Sequence, residues 1–91
     1  MFTQGSVASN GTAEYQVYAA AGQRLLISER GSGGFDGKMA LVSSAGTTLA
    51  SADDTNGRDP AITYLFSTDG IYSVRVSGYQ GQAGSFTLSL S

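Results

Sequence analysis

Residues 70–77 read G-I-Y-S-V-R-V-S, which sets Tyr72, Val74 and Val76 on one side of an extended backbone and Ser73, Arg75 and Ser77 on the other. Phe86, Leu88 and Leu90 alternate in the same way with Ser85, Thr87 and Ser89. Period-two alternation of aromatic and branched residues with small polar ones is the mark of a strand with one face on a core and one in water. The pattern recurs at residues 14–19, with Tyr15, Val17 and Ala19 in phase, and at residues 61–66, with Ile62, Tyr64 and Phe66 in phase. Leu25 and Ile27 share a phase, as do Met39 and Leu41, and residues 48–52 form one more short strand. Asn10-Gly11, Gly22-Gln23, Ala45-Gly46 and Asp69-Gly70 punctuate these runs as turns. Residues 5–11 read as a turn-rich lead-in, and the glycine-rich residues 31–37 as a long flexible connection. No run is helical; Ala19-Ala-Ala21 is stopped by Gly22.

About eight strands at a spacing near ~10–12 residues predict an all-β domain, two antiparallel sheets packed as a jelly-roll-like β-sandwich. Its predicted core is Tyr15, Val17, Leu25, Ile27, Met39, Leu41, Ile62, Tyr64, Phe66, Tyr72, Val74, Val76, Phe86 and Leu88. Tyr18, Leu26, Val42, Leu65, Ile71 and Tyr79 fall out of phase with this set. They are expected on the outer faces, or packed under loops and between edge strands. Tyr18 and Tyr79 are the candidates for partner binding, since an aromatic ring in water is a platform for sugar or peptide.

The 91 residues predict one domain over 1–91, with thirteen Gly, a single Pro and no Cys, so no disulfide supports it. Seven acidic and five basic residues give a net charge of −2 without a basic cluster, which argues against nucleic acid as a partner. No apolar run is long enough to span a membrane as a helix. Met1-Phe-Thr-Gln lacks the basic and apolar regions of a signal peptide, so any export signal is expected outside these residues.

With no His and no Cys, Ser-His-Asp and Cys-His catalysis and His-ligated metals are excluded. Asp53 and Asp54 are adjacent carboxylates that an extended backbone would point apart, a poor acid–base pair. No enzyme activity is expected. Asp53, Asp54, Asn56 and Asp59 do offer side-chain oxygens within seven residues, with Asp36 as a further donor from the glycine-rich connection, a set that suits calcium. The spacing is not that of an EF-hand loop. The competing reading is that these side chains cap turns by accepting backbone N–H bonds, with Arg58 balancing the charge. Residues 31–34 lack the Lys-Ser/Thr and the helix of a phosphate-binding loop.

The ordered set Glu14-Tyr-x-Val, Ala21-Gly-Gln, Asp36-x-x-Met-x-Leu41, Ala45-Gly-x-x-Leu-Ala50, Asp53-Asp54, Asp59-x-x-Ile62, Gly70-x-Tyr-x-Val-x-Val76 and Gly84-x-Phe-x-Leu88 resembles the bacterial pre-peptidase C-terminal domain. That family is related to the collagen-binding domains of bacterial collagenases. Phe86 stands where a Tyr is more usual. The resemblance implies a β-sandwich accessory module of an exported bacterial protein, secreted or at the cell surface, beside a catalytic domain of a protease or other hydrolase. It implies assistance in secretion and maturation or in binding an extracellular protein or polysaccharide polymer. The binding positions of the collagen-binding branch find no counterpart here, so collagen binding is not carried over. A spacer or self-assembly domain without a ligand is the alternative.

Overall fold

A computed structural model describes residues 2–53 and 60–91. Their strands are β1 (Phe2–Val7), β2 (Thr12–Ala19), β3 (Arg24–Gly31), β4 (Gly37–Val42), β5 (Thr48–Ala52), β6 (Ala61–Leu65), β7 (Gly70–Gly78) and β8 (Gly84–Leu90), with a 3-10 turn at Tyr79–Gly81. Two four-stranded sheets have the orders β1-β8-β3-β6 and β2-β7-β4-β5. Every pairing is antiparallel, and β1–β8, β2–β7, β3–β6 and β4–β5 nest inside one another like one long hairpin rolled across two layers. This is the jelly-roll order expected from the strand spacing.

The alternation places the core as predicted. Ile27, Met39, Leu41, Ile62, Phe66, Tyr72, Val74, Val76, Phe86 and Leu88 are buried between the sheets, and Tyr15, Val17, Leu25 and Tyr64 pack half-buried against them. Phe66 meets Tyr64 edge-on at 5.0 Å between ring centroids and lies 4.6 Å from Tyr72. Burying Tyr72 leaves its hydroxyl to be satisfied, and it donates to the Thr68 carbonyl at 2.6 Å.

Three features depart from the expectations. Residues 5–7 do not precede the fold as turns; they lie in β1, which pairs with β8 from Phe2↔Ser89 to Val7↔Gly84. A side chain at Gly5 would collide with the Tyr15 hydroxyl and the Phe86 ring, so glycine is what lets β1 cross them. The turn itself is at Ala8–Gly11, with Asn10 at φ 60° and the Gly11 N–H donating to the Ala8 carbonyl.

The glycine-rich connection likewise carries core. Phe35 is buried and its ring stacks on Phe86, 6.2 Å between centroids at 25°. A Cβ at Gly31, Gly37 or Gly84 would strike Phe35, so these glycines form the notch that receives it. Their composition reflects close approach as much as flexibility.

Val42 is the third departure. It pairs with Ser73 in an outward-facing row, yet it is 1% exposed and lies outside the continuous core. The β4–β5 ladder slips between Leu41 and Val42, leaving Leu49 as an extra residue on β5. Such a bulge breaks simple alternation, and both Leu49 and Ala50 pack against the core.

Candidate functional site

The outward positions of β2-β7-β4-β5 form rows fixed by register. Tyr18 pairs with Ile71, and Gln16 with Ser73; Glu14, Arg75, Ala40 and Ser51 share a row, as do Thr12, Ser77 and Lys38. Small side chains at Ala40, Ser51 and Ser77 leave a shallow groove of about 600 Å³, bordered by Lys38, Arg75 and Asp53. Both signs of charge border it, and the Tyr18–Ile71 pair, 66% and 51% exposed, lies farther along the same face, beyond the Gln16–Ser73 row.

Arg75 Nε donates to Glu14 Oε2 at 3.0 Å across the β2–β7 ladder. That bond, with one from Ser73, holds the Glu14 carboxyl below the ordinary glutamate range. Both side chains are about half-exposed, so the pair orders the surface more than it stabilises the fold.

Tyr79, 45% exposed, follows β7 directly beyond the row of Thr12, Ser77 and Lys38. The two tyrosines singled out by their phase thus belong to opposite ends of one sheet. Asp36, a candidate calcium donor, lies beside Tyr79: its carbonyl accepts the Tyr79 N–H at 2.7 Å, and its N–H donates to Gln82 Oε1 at 2.8 Å. Asp53 directly follows β5, and its Oδ1 is shielded from solvent without a hydrogen bond to another described residue. Asp54, Asn56 and Asp59 lie outside the described residues. Among the described residues no three acidic side chains converge on a point that could hold a metal.

One acid escaped the sequence reading. Glu29 shares the inward phase of Leu25 and Ile27, and its side chain is 1% exposed against Gly37, while its backbone N–H donates to the Pro60 carbonyl at 3.0 Å. The phase alone signals this position as interior, against the usual exclusion of carboxylates. Asp69, by contrast, shows the turn chemistry expected of loop aspartates: its Oδ1 accepts the Ala21 N–H at 2.6 Å and ties two connections together.

The other sheet presents a different outer surface. Ser28 and Ser89 pair between Arg24 and Arg30, Thr87 pairs with Arg30, and Phe2, Leu26 and Leu65 are exposed apolar residues. Leu26 pairs with Thr63 and Arg24 with Leu65, which makes the two leucines diagonal neighbours on that face.

Among known proteins, the family model described as the bacterial pre-peptidase C-terminal domain matches residues 11–78. No curated protein sequence matches the chain. The pre-peptidase C-terminal domain of collagenase from Bacillus anthracis superposes with a TM-score of 0.82 at 20% identity, over 100% of this chain and 88% of that one. Aeromonas hydrophila PliG, a periplasmic inhibitor of g-type lysozyme, gives 0.81 at 16% identity, over 100% and 83%. At these identities the two structures share the fold.

Proposed function

The chain belongs to the bacterial pre-peptidase C-terminal domain family, and on that footing we propose that it is a non-catalytic module of an exported hydrolase that attaches its parent protein to a macromolecular substrate. Domains of this family are accessory, non-catalytic units found in secreted bacterial proteins. The observation that carries the attachment reading is the outer face of β2-β7-β4-β5, which presents a groove with both signs of charge and, across one intervening row, the exposed Tyr18–Ile71 pair. The Tyr18–Ile71 pair supports the ladder as an aromatic–β-branched contact and, at its exposure, also offers a partner an apolar platform in water.

Co-sedimentation of the chain with cellulose, chitin and collagen fibrils tests this. Retention on one polymer, lost when Tyr18 and Ile71 are both replaced by Ala, is the expected result. Absence of retention on every polymer would sink it.

The exposed Leu26–Leu65 diagonal favours self-assembly as a second reading. A dimer that survives dilution and dissociates on Leu26→Ser with Leu65→Ser would establish it; a monomer at all concentrations would remove it. Calcium enters through Asp53 and the residues that follow it. Thermal unfolding in EDTA and then in millimolar calcium tests this, because an ion held by the native state raises the melting temperature by linkage. An unchanged melting temperature leaves the acidic residues as turn formers.

A further inference from the structure

Each sheet ends in two edge strands, and the four edges are unequal. β5 and β6 have five residues each; β5 is bulged against β4, and β6 begins directly after Pro60. β1 has six residues, one of them Gly5. β2 instead pairs with β7 without a break over all eight residues of T-A-E-Y-Q-V-Y-A. It holds no Lys, Pro, Gly or bulge, the devices that keep an edge from pairing with another chain. Among the described residues, only β7 shares its backbone hydrogen bonds. Its inward Ala13, Tyr15 and Val17 are half-buried, whereas Tyr72, Val74 and Val76 beside them on β7 are buried. We propose that the β2 edge is an interface between two copies of this chain. In it, β2 pairs with β2 antiparallel about a two-fold axis at Gln16 and joins the two β2-β7-β4-β5 sheets into one continuous sheet. This edge lies on a different sheet from the Leu26–Leu65 diagonal, and the pairing stands whether or not a polymer is bound.

The sequence of the strand selects a second copy as its partner. Directly opposed residues of an antiparallel pair lie on the same face, so a two-fold pair that uses nearly all of β2 has two registers, centred on Tyr15 or on Gln16. Centred on Tyr15, each Glu14 faces Gln16 of the second copy, and the two Glu14 carboxylates become diagonal neighbours of like charge. Centred on Gln16, the two carboxylates stand about 13 Å apart along the strands. That exceeds the screening length of about 10 Å at ordinary salt. The same register sets Gln16 against Gln16, where each carboxamide offers the other a donor and an acceptor. Inward Tyr15 then meets Val17, an aromatic–β-branched pair, and covers the half-buried side of the core. Glu14, held by Arg75 from the β7 side, faces Tyr18 of the second copy and can accept from its hydroxyl. Each group of the edge thus finds its match within the edge itself.

The pairing changes what the outer face presents. In one copy, the Gln16–Ser73 row separates Tyr18 and Ile71 from the row of Glu14, Arg75, Ala40 and Ser51 that crosses the groove. Across the two-fold axis, Ile71 and Tyr18 of one copy fall in line with Glu14, Arg75, Ala40 and Ser51 of the other, and the reverse holds on the other side. The apolar pair and the groove become parts of one row only in the dimer. Main-chain hydrogen bonds along β2 supply the contact, as they do wherever a strand is added to an exposed sheet edge.

Sedimentation equilibrium of the chain is the test. A monomer–dimer equilibrium with a dissociation constant of about 1 mM or below is expected, the range open to a small interface. Gln16 is exposed, so substitutions there should leave the melting temperature nearly unchanged. Gln16→Lys and Gln16→Glu each place like charges at the two-fold axis, and each should weaken the dimer about tenfold or more. An equimolar mixture of the two variants should restore it as a heterodimer. Leu26→Ser with Leu65→Ser should leave it intact. A monomer at every concentration, the result expected were the edge taken by a strand of another protein, overturns the proposal. So does a dimer indifferent to Gln16→Lys, or one that Gln16→Lys strengthens, which would place position 16 opposite Glu14. The readout is mass and not retention on a polymer, so loss of attachment and loss of the pairing are told apart.

Discussion

The two sheets are alike on their inner faces and unlike on their outer ones. Inside, each gives alternate residues to one shared core, with Val74 at the middle of one layer and Leu88 at the middle of the other. Outside, β1-β8-β3-β6 carries hydroxyls, two arginines and three exposed apolar side chains, whereas β2-β7-β4-β5 carries a cross-strand ion pair, a groove and the Tyr18–Ile71 pair. Core packing constrains only the inward phase, so the outward phase is where two otherwise equivalent layers can acquire different tasks.

The largest effects should confirm the inner equivalence. Leu88→Ala should destabilise by about 3 kcal/mol and Val74→Ala by about 2 kcal/mol, each leaving a cavity in a central strand. Urea unfolding measures both, and a near-neutral result for either would mean that one layer is peripheral. An intermediate effect should come from Val42, which is outward by register but buried. Val42→Ala should cost about 1 kcal/mol by the same assay, against a few tenths for Leu26→Ala on the opposite face. Equal costs would erase the distinction drawn at the bulge.

The smallest effect concerns Glu14. Its carboxyl is held below the ordinary value of 4.5 by Arg75. A depressed folded-state value stabilises above the ordinary range, and the contribution disappears as pH falls through the lowered value. An NMR titration should find the Glu14 midpoint below 4.5, moving back toward that value in Arg75→Ala. A midpoint indifferent to Arg75 would mean that the pair does not persist in solution.

Most of the fold was legible because alternation is a direct image of a two-faced strand. Ile62, Tyr72, Val76 and Phe86 needed nothing more than their phase. What was missed follows from interactions that alternation does not record. Phe35 is surrounded in sequence by glycines that read as flexible, and only the fold brings Gly37 and Gly84 against its ring and Gly31 against its backbone. β1 carries Gly5 at an inward position because Tyr15 and Phe86 already fill that space. Val42 required knowledge of a slip in its partner's register. In the candidate site, the phase marked Tyr18 and Tyr79 as outward, but the same sheet order was needed to set them at opposite ends of one surface. The closeness of Tyr79 to Asp36 came from a backbone hydrogen bond across 43 positions of sequence, from Tyr79 N–H to the Asp36 carbonyl.

The β1–β8 pairing also ties the first strand of the sheet to the last along the chain. β8 lies between β1 and β3, so the strand synthesised first has no neighbour in its sheet until the strand synthesised last arrives. Nested pairings of this kind are dominated by contacts distant along the chain, which places folding in the slow range of milliseconds to seconds. The β2-β7-β4-β5 sheet and the β3–β6 pair can form from residues 12–78, but the β1-β8-β3-β6 sheet closes only when residues 84–90 are present. Until β8 is in place, β1 has no neighbour in its sheet and β3 is paired on its β6 side alone, so β8 is the strand that joins the two halves of that layer.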